Sequence, residues 1–380
     1  MTASSRSLLV RQQYATRAAF FIAGFTMSAW APLIPFAKDR TGANEAMLGL
    51  LLLCLGLGSI IGMPMTGALV NRFGCRRVII SAGLMICAAL PALGFIQSIP
   101  MLGIALLVFG AGMGIIDVAM NIQAVIVERA SGRTMMSGFH GLFSVGGIAG
   151  SGGVIGLLWI GASPFVSILC VVTLALVLLG VIGPSLLPHA SSDQPSQLFV
   201  WPRGKVLLIG VLCFILFLME GAILDWSALV LTTRQGLDPS RAGLGYAVFA
   251  ITMTIGRLTG DRTVSLLGSR TIMLAGGSIA MIGILVAVWS PDWPLSLFGF
   301  ALVGIGAANI VPVLFSAIGH QTVMPSSLAV SAVTTLGYLG ILIGPALIGP
   351  IAQISNLAIA FSGIAALLIL VLLNSRIANR

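Results

Sequence analysis

Apolar residues run through this chain in blocks of about twenty, and the polar residues collect in the short gaps between them. A helix needs about 20 mainly apolar residues to cross the hydrocarbon of a bilayer. Twelve blocks meet that length: 17–36, 46–70, 78–97, 101–124, 136–159, 163–187, 206–231, 242–260, 270–289, 294–318, 327–350 and 355–373. The pattern predicts an all-α multi-pass membrane protein with twelve transmembrane helices. The first block is expected to be a retained span and not a cleaved signal, because the chain simply continues through eleven more.

The longest polar connection, 188–204, separates the first six blocks from the last six. It lacks secondary-structure periodicity and reads as a linker. The chain therefore divides into an N-terminal six-helix half (1–187), a linker (188–204) and a C-terminal six-helix half (205–380). The halves repeat. Shifting the second back by 194 positions lays Gly256 on Gly62, Gly268 on Gly74, Arg270 on Arg76 and Gly277 on Gly83. The same shift lays Gly304 on Gly110, Gly306 on Gly112, Gly340 on Gly146 and Gly344 on Gly150. Two parallel six-helix repeats related about the membrane normal are a transporter architecture.

Composition narrows the classes. Of 380 residues, 58% are hydrophobic and 8% are Asp, Glu, Lys or Arg, against about 25% charged in a soluble domain. That excludes a water-soluble enzyme and an intrinsically disordered chain. The net charge of +9 is no sign of nucleic acid, because the cations sit in gaps between spans and form no basic domain. Of the 19 Lys and Arg, 14 fall on the side of the two termini, four (Lys38, Arg40, Arg234, Arg241) on the other, and Arg257 within a span. Short loops richer in Lys and Arg stay in the cytoplasm, so both termini and the linker are expected there. The five cysteines and three histidines have no metal-ligand spacing; the thiols read as buried small hydrophobes. No cofactor or metal is expected.

The gap between the second and third blocks reads Gly67-Ala-Leu-Val-Asn71-Arg72-Phe-Gly74-Cys-Arg76-Arg77. It resembles the signature loop of the major facilitator superfamily, Gly-x-x-x-Asp-Arg-x-Gly-Arg-Arg, with Asn71 where the family carries Asp. Twelve spans and the half-repeat extend the resemblance over the whole chain. Gly67, Asn71, Arg72, Gly74 and Arg76 are then gating or structural residues of a cytoplasmic loop. In the second half, Ser265 and Leu266 replace the Asp-Arg pair while Gly268 and Arg270 remain. Within the superfamily the chain is similar to the fucose-permease-related group, on the segments 114–129, 140–150, 220–226 and 256–262. Asp117 followed by Asn121 resembles the acidic residue and Asn that the fucose permease carries in span four, where the carboxylate takes part in proton coupling. The permease's second carboxylate, in span one, has no counterpart in "GFTMSAWAPLIPF". The resemblance implies a secondary active transporter of a small polar organic solute, sugar-like and coupled to protons, working by alternating access as a monomer in the cell membrane (the inner membrane in a Gram-negative source). A proton-driven efflux antiporter for drugs or metabolites and a non-transporting membrane sensor are the alternatives.

A lone charge at mid-membrane costs about 2.5–3.5 kcal/mol on insertion scales, so each ionisable group in a span needs a partner or water. Asp117, with Asn121 one turn on, is a candidate for substrate binding or proton exchange; a helix-packing hydrogen bond is the plain alternative. Glu220 lies near mid-depth of span seven, and Asp225 and Trp226 follow near its outer end. At 100° per residue Glu220 and Asp225 point about 140° apart, which favours Glu220 for the cavity and Asp225 for an outer gate or packing bond. Trp226 is a stacking surface for a ligand or an interfacial anchor. Arg257 has Asp261 one turn below it, so the cation is neutralised locally or pairs with a carboxylate of another span; both are gating or structural candidates. His140, opening span five, titrates in the physiological range or serves as a neutral hydrogen-bonding group. Span five carries Gly141, Gly146, Gly147, Gly150, Gly152 and Gly153, for which close packing is the ordinary reason. They depart from the Gly-x-x-x-Gly-Pro-x-x-Gly-Gly pattern of the superfamily's drug/proton antiporters. A phosphate-binding Walker loop and a catalytic set of nucleophile, base and oxyanion donors are both missing from the sequence, which argues against an enzyme.

Overall fold

The computed structural model describes residues 3–188, 201–238 and 241–378, and every regular element in them is helical. The twelve spans are present. Span one is Ser7–Thr41 and spans two and three share Met47–Phe95; spans four to seven are Ile99–Ser131, Met136–Trp159, Pro164–Ser185 and Gly204–Thr233. Span eight is Leu244–Leu267, nine to eleven are Ser269–Trp289, Trp293–Ile318 and Ser326–Ile354, and span twelve is Leu357–Leu373. The protein is a multi-pass membrane protein of the expected class. Most of the predicted linker, 189–200, lies outside the described residues.

Spans two and three join without a loop. Gly74, at φ 82° and ψ 157°, is the one non-helical residue inside Glu45–Phe95. Gly268, 194 positions on, takes φ 78° and ψ 152° between spans eight and nine. Only glycine enters this region without strain, so the two aligned glycines fold two tight helix reversals in the same way. Two other interruptions are absent from the sequence reading. Span one breaks into a 3₁₀ turn at Ala31–Leu33, where Pro32 cannot donate a backbone hydrogen bond. Span ten breaks between Trp293–Ala307 and Ile310–Ile318, three residues before Pro312, whose missing N–H would otherwise reach back to Ala308.

The chain forms two compact units: Met1–Gly132 with Leu142–Trp201 and Pro325–Ser331, and Arg133–Gly141 with Pro202–Met324 and Ala332–Arg380. In the first, span two packs on span four with backbones touching. A Cβ added to Gly110 would fall on the Leu55 carbonyl, and one on Gly58 would fall on that of Leu107. Ser59 Oγ donates across the same crossing to the Gly110 carbonyl at 2.9 Å. Span one meets span five likewise, Gly146 against the Phe21 carbonyl and Gly150 against that of Phe25. In the second unit, Gly304 lies against the Phe249 carbonyl and Gly340 against that of Phe214. Phe249 is the 194-shifted equivalent of Leu55, so the sequence repeat is a repeat of helix crossings. Small residues are what let backbones approach this closely in lipid.

The packing explanation fails for part of span five. Gly141, Gly146, Gly147 and Gly150 have close neighbours, but a Cβ on Gly152 or Gly153 would meet nothing within 4 Å. The cysteines also divide. Cys75 is fully buried beside the Gly74 reversal. Cys170 is exposed, against the expectation of burial, because its helix face carries other exposed apolar residues such as Leu169 and Leu174.

Candidate functional site

In the first unit Asp117 and Asn121 lie in the second half of span four. Residues four apart on a helix face the same way, and Asn121 Nδ2 donates to the Asp117 carbonyl at 2.9 Å and to Asp117 Oδ1 at 3.4 Å. Asn121 is buried, whereas Asp117 is only half-buried. The Asn amide is thus fixed by the backbone and presents its N–H to a carboxylate that remains reachable.

The second unit holds a denser polar cluster. Arg257 Nη2 of span eight lies 3.3 Å from Glu220 Oε1 of span seven, with side-chain exposures of 9% and 19%. Among the described residues Arg257 is the only buried Lys or Arg. The cation therefore pairs with a carboxylate of another span. His140 stands nearby, with its ring centroid 5.7 Å from that of Phe315 and in electrostatic contact with Arg257. Asp261, one turn below Arg257, turns to the start of span five: its Oδ1 accepts the Gly138 N–H at 3.0 Å and its carbonyl accepts the Thr134 hydroxyl at 2.9 Å.

Asp225 and Trp226 sit away from this pair. Asp225 is exposed and, with Trp226, Ala228, Leu229, Thr232 and Ala242, lines an open groove. The Trp226 indole packs toward Gly349 of span eleven, where a Cβ would come within 3.6 Å, and its N–H is buried without a hydrogen-bond partner. Sequence spacing placed Glu220 and Asp225 on different faces, and their surroundings differ in the same sense.

The residues around the Gly74 reversal fix helix ends within the first unit. Ser327 Oγ, at the start of span eleven, donates to Asn71 Oδ1 at 2.6 Å. Ser331 Oγ donates to the Met63 carbonyl at 2.6 Å. Gly67 makes room for this segment, since a Cβ there would come within 2.9 Å of the Ser327 carbonyl. Arg76 holds the end of span six: its backbone N–H donates to Leu187 O at 2.8 Å, and its guanidinium reaches the carbonyls of Leu186 and Pro184. Arg72 is exposed, stacked over Phe73 at 5.2 Å.

Sequence reasoning passed over several buried polar residues. Gln123 is fully buried, donating to Thr16 Oγ1 at 3.0 Å and accepting the Leu187 N–H at 3.1 Å. Glu128 is 5% exposed although it borders a loop. Asn309 donates from Nδ2 to the Gly256 carbonyl at 3.1 Å, at the break in span ten. The signal was available: each is a polar residue interrupting an apolar run.

Among known proteins, the family model described as Major Facilitator Superfamily matches residues 18–229. An uncharacterized MFS-type transporter of Yersinia pestis is 56% identical over 98% of this chain and 97% of its own length. Among solved structures, the Escherichia coli fucose:proton symporter FucP superposes with a TM-score of 0.82 at 16% identity, covering 97% of this chain and 98% of that one. The human organic anion transporter MFSD10 superposes with a TM-score of 0.80 at 15% identity, covering 97% and 99%. At such identities the two structures speak for the fold alone.

Proposed function

Because this chain belongs to the major facilitator superfamily, we propose that it is a secondary active transporter that moves a small polar organic solute together with protons by alternating access. The observation that carries this reading is the set of ionisable groups inside the spans. Asp117 is held beside Asn121 in one unit, and Glu220 is paired with Arg257 in the other. Charges in membrane helices are costly and stay where a pathway uses them. Asp117, Asn121, Glu220 and His140 are the substrate or coupling candidates. Gly67, Asn71, Arg72, Gly74, Arg76, Asp225, Arg257 and Asp261 set helix ends and gates. Trp226, packed toward span eleven, is the weakest of the ligand candidates. The fold neighbour FucP is a fucose:proton symporter, which agrees with a polar solute and proton coupling.

The test is flux. Purified protein in liposomes with an imposed pH gradient is expected to accumulate a solute selected from a thermal-shift screen. A ligand that binds without crossing would make the protein a sensor instead; expulsion of the solute driven by counterflow of protons would make it an efflux antiporter.

We further propose that the protein lies in the cell membrane as a monomer surrounded by lipid, with both termini and the 188–204 linker in the cytoplasm, on the charge asymmetry of its loops. Reporter fusions after residue 195 and at the C-terminus are both expected to give a cytoplasmic signal. A signal from the opposite side at either position would overturn the orientation.

A further inference from the structure

We propose that the solute carries a carboxylate, which binds Arg257 in place of Glu220. This rests on the transporter reading above and adds the solute's charge class to it.

Arg257 is the one strongly buried Lys or Arg among the described residues, and a guanidinium offers a planar fork of donors that matches a carboxylate. Its contact with Glu220 is a single N–O approach at 3.3 Å, longer than the roughly 2.7–2.9 Å of a strong charge-assisted hydrogen bond. The two side chains are also unequal. Glu220 is twice as exposed as Arg257, at 19% against 9%. The acid is therefore the more accessible partner, and the cation is the partner that needs an anion at all times. Such a pair has the properties of a place-holder: an internal carboxylate occupies the cation until an external one arrives, then turns toward water.

The other charged and titratable groups near the pair do not take this role. Asp261 is committed to the Gly138 N–H. Asp225 is exposed in its own groove. Tyr246 and Cys213 interact with Glu220 electrostatically, and His140 interacts with Arg257. Of these, His140 stands beside the guanidinium and brings no negative charge, so Glu220 is the carboxylate that faces Arg257. The solute's charge of minus one is then offset by the proton carried on Asp117, and the transported pair is neutral overall.

The experiment uses matched acids and neutral polyols: gluconate and glucuronate against glucose and sorbitol, and lactate against propane-1,2-diol. Binding is read by thermal shift on the full-length protein, and flux in liposomes under a pH gradient or a membrane potential applied separately. Acids are expected to bind and to move with the pH gradient while remaining insensitive to the potential. Glu220→Gln is expected to tighten acid binding at least tenfold, since the competitor is gone. Arg257→Gln is expected to lose it, with Arg257→Lys recovering part. If Arg257→Gln does not fold, Glu220→Gln decides alone: a purely structural ion pair predicts lower stability and unchanged affinity. Binding and transport of the neutral polyols, electrogenic and indifferent to Glu220→Gln, would overturn the carboxylate assignment and leave the transporter reading intact. Neither set binding nor moving would overturn both.

Discussion

Asp117→Asn is expected to abolish gradient-driven accumulation while leaving exchange between equal solute pools nearly unchanged. One proton moved per solute converts each pH unit into about 1.4 kcal/mol, or roughly tenfold accumulation. The substitution should bring that ratio to one at any gradient. Its structural cost is small. Asn has nearly the same size, and the stronger Asn121 contact goes to the backbone carbonyl of residue 117 at 2.9 Å, which survives the change. What is lost is the ability of the half-buried carboxyl to carry a proton in one state and not in the other. Glu220→Gln is the comparison, measured in the same liposomes. Accumulation that persists in Asp117→Asn and disappears in Glu220→Gln would move the coupling role to Glu220.

Gly110→Val is expected to prevent recovery of folded protein, and Gly152→Val in the same preparation to have little effect. Both glycines lie in apolar helices and look alike in composition. At Gly110 the added side chain would meet the backbone of span two at the Leu55 carbonyl, and a backbone cannot swing away as the tip of a side chain can. The crossing would have to open, with loss of the Ser59 hydrogen bond to the Gly110 carbonyl. Overpacking in ordinary cores costs about 1–3 kcal/mol, and a backbone obstacle places this case at or above the upper end. Gly152 has nothing within 4 Å. Detergent-solubilised yield and the unfolding midpoint of each variant check the contrast. Equal loss in both would mean that glycine content as such, and not the crossing, stabilises these helices.

These two glycines also mark what the sequence can and cannot disclose. The spans were legible because lipid imposes a length and a polarity on any helix that crosses it. The repeat was legible because crossings demand small residues at fixed positions in both halves. Gly152 defeats the same logic, since a Gly-rich run does not say which of its members touch a neighbour. The breaks at Ala31–Leu33 and at Asn309 lie inside blocks apolar enough to read as single spans, and Pro32, Pro312 and Asn309 itself were their signs. Asp117 and Asn121 could be paired from helix spacing alone. Arg257 with Glu220 could not, because 37 residues separate them, and Asn71 with Ser327 still less, at 256 residues apart. Long-range partners are set by helix packing, which a single sequence does not encode locally.

The single-residue reversals at Gly74 and Gly268 have a mechanical consequence. A connection of one residue has no slack, so a rotation of span two must be passed to span three, and one of span eight to span nine, at the joint itself. Each pair is expected to behave as a bent lever and not as two rods on a string. Torque applied at one span's membrane-buried charges, as at Arg257 on span eight, is delivered to the neighbouring span without any loop to absorb it.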